Sequence, residues 1–459
     1  MIEEFKYEGE WWIPKNPENK VRGTLYFSPK DGIKLDLLGL FEENEQTIFE
    51  VILGSTIDGK EITLTRCMQY AYEKHVPGGE ISKLHISEIF IGEHFSSLSA
   101  IEFNRISIHF SYLNEWAGFK TFKKDFTKDG NTIITHKNLK PIEVKINNNL
   151  KLRLHVSSRS SSSLTKYSIE DKTYFIIIFS KRLSFYKCRR YIYILQNFLT
   201  LAVGDDVSYP LKLSGFIENG KKITNVEIYY AIPNIKESTK IRQHMLFNYD
   251  TIKDRFDSFI KNWFKYYQHD SLETVFNLYF GTIRNQRLYV DNQFLNYVIA
   301  IESFHRSLYT SKYVSDKKYE EIKNELIKTI EKISDKLKVQ GFKSSLINKL
   351  NYLHEFSLAK RLKEIYKEYK DIIGDIIGDR ETFISTTKDT RNYLIHNDPE
   401  SKGHVCDGKD LIVLNSKLRI LLEACILNTI GFSKIEIKSL FSRLERYKKE
   451  FINNPNRII

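Results

Sequence analysis

The stretch TIKDRFDSFIKNWFKYY, from Thr251 to Tyr267, decides how the chain is to be read. Ile252, Phe256, Ile260, Trp263 and Tyr267 recur three or four residues apart, the interval that gathers apolar side chains on one face of a helix. Thr251 with Asp254 has the reciprocal shape of a capping box, so a helix is expected to start there. Upstream the interval is two. Leu25 and Phe27 alternate with polar neighbours, Ser28-Pro29-Lys30-Asp31-Gly32 supplies turn chemistry, and Ile33, Leu35 and Leu37 alternate again, which is a hairpin. Phe49, Val51 and Leu53 lead through Asp58-Gly59 into Ile62 and Leu64, a second hairpin, and Ile106, Ile108 and Phe110 read as a further strand. The run YFIIIF, Tyr174 to Phe179, suits a strand buried on both faces, and the serines from Ser157 to Ser163, interrupted by Arg159, read as a solvated loop before it. An amphipathic helix covering the sheet is expected from about Ser184 to Leu201, with Arg189 and Arg190 near its start.

Downstream, helical stripes continue: Phe294, Val298, Ile301 and Leu308; Ile322, Leu326, Ile330, Ile333 and Leu337; Leu346, Leu350 and Leu353. Leu414, Leu418, Leu421 and Cys425 belong to a segment apolar on nearly all faces, which should be the central helix. The expected fold class is therefore α+β and multidomain, with a β-rich, sandwich-like domain over residues 1–240 and an all-α bundle over 241–459. The boundary is placed near 235 to 250, where Pro233, the polar run Lys236 to Lys240 and the change of period coincide. A length of 459 residues agrees, because single cores stop growing near ~250 to 300 residues.

Composition removes several classes. Hydrophobic residues at 41% and aromatics at 13% exclude a disordered chain. A bilayer span needs ~20 apolar residues, and the best run, Tyr191 to Val203, is broken by Gln196, Asn197 and Thr200, so no membrane partner is expected. MIEEFKYEGE opens on glutamates rather than the basic and then apolar order of a secretory signal, which points to the cytoplasm. Cys67, Cys188, Cys406 and Cys425 form no CxxC pair. The net charge is +12, and residues 241 to 459 hold 37 basic against 29 acidic groups, two thirds of that excess. Such a balance suits a polyanion. Lysine richness without a binding role, 50 Lys against 20 Arg, accounts for it equally well.

GxxxxGK[ST], HExxH, GxSxG and a Gly-rich dinucleotide loop are all missing from the sequence. What remains is Thr390-Arg391-Asn392-Tyr393-Leu394-Ile395-His396-Asn397-Asp398-Pro399. Asn392 and His396, at i and i+4, share one helix face, and Arg391 flanks it. Pro399 should stop the helix just after His396, placing the imidazole among the carbonyl dipoles of the last turn, a setting suited to a group that takes up and releases a proton. An Arg with a His five residues on should occur about 0.5 times by chance in such a chain, so spacing alone leaves open a surface ion-pair arginine and a capping histidine.

Arg391-Asn392-Tyr393-Leu394-Ile395-His396 resembles the motif of HEPN domains: Arg, a polar residue, three further residues and His, late in a helical bundle. Trp11-Trp12-Ile13-Pro14, Gly23-Thr24-Leu25, Gly32-Ile33-Lys34-Leu35 with Gly39, Leu113-Asn114-Glu115-Trp116, and Leu195-Gln196-Asn197-Phe198-Leu199 with Leu201-Ala202 resemble the N-terminal domain of the ApeA family of HEPN anti-phage proteins. Ala300-Ile301-Glu302-Ser303-Phe304-His305-Arg306 and Leu358-Ala359-Lys360-Arg361-Leu362 resemble the HEPN part of that family, so the likeness covers nearly the whole chain.

The resemblance implies a metal-independent endoribonuclease without cofactor, whose motifs meet across a homodimer. It would act on RNA, tRNA being one candidate, in abortive infection once a phage-derived trigger is sensed. RNA brings its own nucleophile, the 2′-OH, so the protein need only move protons and stabilise charge on phosphorus. His396 suits the proton transfers, Arg391 the phosphorane oxygens and Asn392 the orientation of His396 or the phosphate. The competing readings are a non-catalytic RNA- or nucleotide-binding HEPN module and the toxin of a toxin-antitoxin pair. Glu302 is a partner behind the site, a buried, satisfied carboxylate or an edge position, and His404-x-Cys406 reads as loop chemistry. Trp11 and Trp12 read as core and rim packing rather than a base-stacking platform. His75, His85, His94 and His109 are scattered without partners at recognisable spacing, so the β-rich domain is assigned sensing or restraint rather than chemistry.

Overall fold

The computed structural model describes residues 3–41, 47–74, 79–231, 242–285, 287–333, 341–397, 405–448 and 452. Pro233, Lys236 to Lys240, His75, Leu337, Asp398, Pro399 and His404 lie outside the described residues. The chain divides into two units, Met1–Phe264 and Lys265–Ile459.

In the first unit the alternating stretches become strands β1 (Phe5–Trp12), β2 (Val21–Ser28), β3 (Gly32–Leu37), β4 (Ile48–Thr56), β5 (Glu61–Lys74) and β6 (Glu80–Ile86). Each pairs with the next in the ring β5-β4-β1-β2-β3-β6, and β6 returns to β5, so the sheet closes into a barrel. Both expected hairpins are present, with Ser28 opposite Gly32 and Ser55 opposite Glu61. Trp11, Leu25, Leu35, Ile52, Leu64 and Leu84, one from each strand, are 0% exposed in the barrel core. Each such aliphatic side chain contributes roughly 1.5–3 kcal/mol. Gly54 is where the Trp11 ring lies, since a Cβ there would meet the ring at 2.2 Å. Trp12, 8% exposed, lies at the rim beneath the Lys20 ammonium, so both tryptophans pack as expected.

One edge of β5 serves two partners. Ile62 to Thr65 pair with β7 (Glu88–Ile91), Met68 to Lys74 with β6, and Arg66 between them has φ 52°, a left-handed turn that swings the strand from one to the other. The sheet runs on from β7 through β8 (Glu102–Ile108), β11 (Ile142–Asn147), β12 (Leu150–Ser162), β13 (Tyr167–Ser184), β14 (Lys212–Asn219) and β15 (Lys222–Tyr230), in the spatial order β7-β15-β14-β8-β13-β12-β11. Helices α1 (Leu113–Ala117) and α2 (Phe185–Val203) cover it, with Trp116 against Phe198 at 5.7 Å. β9 (Phe122–Phe126) and β10 (Thr132–His136) form a separate sheet of two strands. Two local readings change. The serines from Ser157 to Ser162 are strand, paired with Tyr167 to Lys172 in an exposed ribbon, because ladder bonds to β13 satisfy their backbone where side-chain patterning gives no signal. Within YFIIIF only Phe175, Ile177 and Phe179 are buried, and the alternate residues are half-buried.

The change of period at Thr251 comes before the division between units. Asn248, rather than Thr251, caps helix α3 (Tyr249–Ile252), its Oδ1 accepting from Thr251 N while Thr251 Oγ1 accepts from Asn248 N. Helix α4 (Phe256–Tyr267) then packs on α2, where Trp263 Nε1 donates to Ile194 O at 2.9 Å.

The second unit is helical: α5 (Asp270–Arg284), α6 (Val290–Leu308), α7 (Asp316–Ile333), α8 (Phe342–Leu350), α9 (Leu358–Ile377), α10 (Arg380–His396), α11 (Gly408–Ile430) and α12 (Lys434–Arg443). α11 is the central helix expected, continuously buried from Ile420 to Leu427 and packed on α6, α9 and α12. Its buried Glu423 accepts from Tyr279, Arg419 and Tyr447. The stripe Ile322, Leu326, Ile333 is helical but about two fifths exposed, because α7 packs chiefly on α8, and Leu353 lies in a turn past the end of α8.

Candidate active site

Helix α10 carries the motif. Asp379 caps its start, accepting from Thr382 N at 2.8 Å, and Phe383, Ile384, Thr387 and Thr390 form its buried face. Burial fades toward the other end: Arg391 and Asn392 are half-buried and His396 is exposed. The helix ends where the proline argument places it, but the stop is already made by Asn397. That residue has φ 50° and donates its N–H to Tyr393 O at 2.8 Å, the left-handed cap that asparagine adopts readily. The Arg391 guanidinium donates to Asn392 Oδ1 at 3.3 Å, so these two side chains are already joined one turn before His396. Thr390 Oγ1 accepts from Cys406 N at 3.1 Å, which holds the start of the following segment beside the motif. Burial pushes the Cys406 thiol up, away from thiolate chemistry.

A second arginine-histidine pair lies elsewhere in the unit. Arg361 on α9 and His305 on α6 are both 0% exposed. Arg361 donates to Phe356 O, to Ser311 Oγ at 2.8 Å and to His305 Nδ1 at 3.3 Å. A guanidinium only donates, so Nδ1 accepts and the ring proton sits on Nε2, which donates to Glu364 at 2.9 Å. Glu355 and Glu302 lie 3.5 and 3.9 Å from Arg361 and share Arg306. Burial lowers the affinity of His305 for a proton, against the Glu364 hydrogen bond that raises it. Glu302 is thus a partner of Arg306 and Arg361, and among the described residues it makes no ion pair with Arg391 or His396. The periodic pattern does not single out this network: Glu302 alone is a candidate by its position, and the rest of Ala300–Arg306 and Leu358–Leu362 enters only as resembling stretches.

Two family models match the chain: ApeA N-terminal domain 1 over residues 6–263 and Apea-like HEPN over residues 295–436. The chain belongs to the ApeA family. Comparison with curated proteins and with solved structures gives no match. The HEPN match contains Arg391, Asn392 and His396 together with the whole Arg361 network. An ApeA-like HEPN module points to an anti-phage function of ribonuclease type, HEPN being in general a nuclease module that binds RNA and dimerises. Among the described residues no helix is long and apolar enough to cross a membrane.

Among the described residues the ApeA N-terminal part offers no comparable acid-base pair. His94 Nε2 is bonded to Gly54 O and His109 Nδ1 to Thr173 O, and the His85 ring stacks on Tyr70 at 4.0 Å. His136, which sequence reasoning passed over, meets both Asp171 at 3.1 Å and Ser158 at 3.3 Å through the same nitrogen, Nε2. A hydroxyl relay needs the hydroxyl and the carboxylate on opposite ring nitrogens, so this trio ties elements together rather than activating Ser158.

Proposed function

We propose that the protein is a metal-independent HEPN endoribonuclease that acts in anti-phage defence by abortive infection. The observation that supports it is the end of α10, where Arg391, already bonded to Asn392, stands one turn before an exposed His396. In this reading His396 takes the 2′-OH proton and returns one to the leaving 5′-oxygen, while Arg391 stabilises charge on phosphorus with its paired N–H donors. Asn392 holds Arg391 and orients the phosphate. One chain presents one such histidine, so a homodimer that brings two copies together would supply acid and base separately. The helical part, residues 241–459, would then carry the chemistry and the strand-rich part, 1–240, would sense a phage-derived trigger and restrain it.

The test is cleavage of RNA by the purified protein in EDTA. The expected products carry 2′,3′-cyclic phosphate ends, and the activity disappears in His396→Ala while RNA binding persists. Cleavage that survives His396→Ala removes this site, and binding without cleavage in the wild type leaves a non-catalytic HEPN module.

A further inference from the structure

The hairpin β9–β10 stands apart from the rest of its unit in charge and in exposure. Residues 119 to 140 hold six lysines and two aspartates, and the remainder of residues 1 to 240 holds 27 basic and 27 acidic groups. The whole net charge of the strand-rich half therefore sits in this one segment. All six lysines are exposed. So are large apolar residues: Phe122 at 45%, Phe126 at 71% and Ile134 at 65%. The pairing puts Phe126 opposite Thr132, Lys124 opposite Ile134 and Phe122 opposite His136, so one face reads Phe, Lys, Phe along β9 with Ile134 beside the lysine. Neither strand places a carboxylate on that face, since Asp125 points to the other side and pairs with Lys123 at 3.0 Å; the one carboxylate that meets it is Asp171, bonded to His136 at the base. Lys124 lies over the Phe126 ring at 4.8 Å.

A ribbon of two strands is marginal in water by itself. This one is held by a tight tip, where Thr127 N donates to Asn131 O, and by its base, where Lys137 N donates to Thr121 O and His136 bonds Asp171. Between tip and base its aromatic and cationic face is open to solvent. Aromatic rings alternating with cations along an extended ribbon match the two demands of a single-stranded nucleic acid, stacking for bases and positive charge for phosphates. Phe122 and Phe126 are roughly 13 Å apart along the strand, far enough for separate bases to stack on each.

We propose that the β9–β10 hairpin is a single-stranded RNA-binding arm, a site outside the α10 motif with Phe122 and Phe126 as stacking platforms and Lys124 and Lys128 as phosphate contacts. The choice of RNA over DNA rests on the ribonuclease reading. The experiment titrates the full-length His396→Ala protein, which leaves RNA intact, into a fluorescein-labelled single-stranded oligoribonucleotide and reads anisotropy at several salt concentrations. Adding Lys124→Gln, Lys128→Gln and Phe126→Ser should weaken binding at least about tenfold and lower the salt slope by about 1.4, roughly 0.7 for each lost phosphate contact on a single strand. The same charge change at the exposed strand residues Lys145 and Lys151 should leave affinity unchanged, and Phe126→Trp should keep or tighten it. An unchanged affinity in the arm variant, an equal loss in the Lys145/Lys151 control, or equal competition by duplex RNA overturns the proposal. Binding through the arm without cleavage by the wild type defeats the ribonuclease reading and leaves the arm. Cleavage with binding indifferent to the arm does the reverse.

Discussion

Two arginine-histidine pairs within one helical unit show how little the residue types say without their surroundings. Arg361 and His305 are fully buried, and each is bonded on several sides by serine, carboxylates and a carbonyl. Arg391 and His396 sit at the solvent end of α10, with Arg391 bonded to Asn392 and His396 exposed. In the first pair Arg361 Nε and Nη1 and the His305 ring bond within α6, α9 and the segment between them, and Arg361 Nη2, which makes no hydrogen bond, lies 3.5 Å from Glu355, the opposite charge that a buried cation requires. In the second, His396 is exposed and Arg391 half-buried, which leaves the imidazole accessible as the proposed substrate role requires. The same residue types thus serve architecture in one place and, in the function proposed above, reaction in the other.

The sharpest way to break that contrast is to remove one member of each pair. His396→Ala should reduce RNA cleavage about 10²- to 10⁴-fold, the usual range for a lost proton-transfer group, and shift unfolding by less than about 0.5 kcal/mol. A stability loss as large as that of a core variant would show His396 to be structural. Arg361→Met should do the opposite and destabilise the helical unit by roughly 3–5 kcal/mol in urea, since Glu302 and Glu355 would lose the charge they surround. A loss under about 1 kcal/mol would mean the network is dispensable.

Acid distinguishes the pairs more gently. Buried His305 stays neutral while the imidazoles of the unfolded chain, with an ordinary value of 6.5, take up protons. The unfolded state then binds more protons, so stability should fall as pH drops below 6.5. The measurement is the unfolding midpoint of wild type and His305→Asn across that range. An identical slope in the two proteins would exclude His305 as its source. The smallest effect expected is that of Glu302→Gln, about 1 kcal/mol of stability and less than a twofold change in cleavage. A larger change in cleavage, with a displaced pH profile, would attach Glu302 to the α10 site after all.

Much of this was legible in the residues because it is local. The period of two through β2 and β3 and the spacing of Arg391, Asn392 and His396 are each contained in a few turns or one hairpin. Even there, neighbours of equal chemistry misled: Asn248 takes the cap assigned to Thr251, and Asn397 ends the helix before Pro399 is reached. The serine run was illegible as strand because ladder bonding depends on the partner strand and not on the side chains. The exposed stripe of α7 could not be told from a core stripe, since periodicity records that a face is apolar and not what covers it.

By itself the sequence determined a strand-rich half followed by helices, a central apolar helix and the motif on one helix. These follow from side-chain order over distances shorter than one element. Tertiary structure alone decided that β6 returns to β5 to close a barrel, through a left-handed Arg66, and that the lysine-rich segment projects as an exposed ribbon. It alone joined His305 to Arg361, 56 positions apart. Such pairings depend on which buried groups must find partners once the chain is compact, and that requirement is set by the packing of whole elements rather than by any residue's neighbours in the sequence.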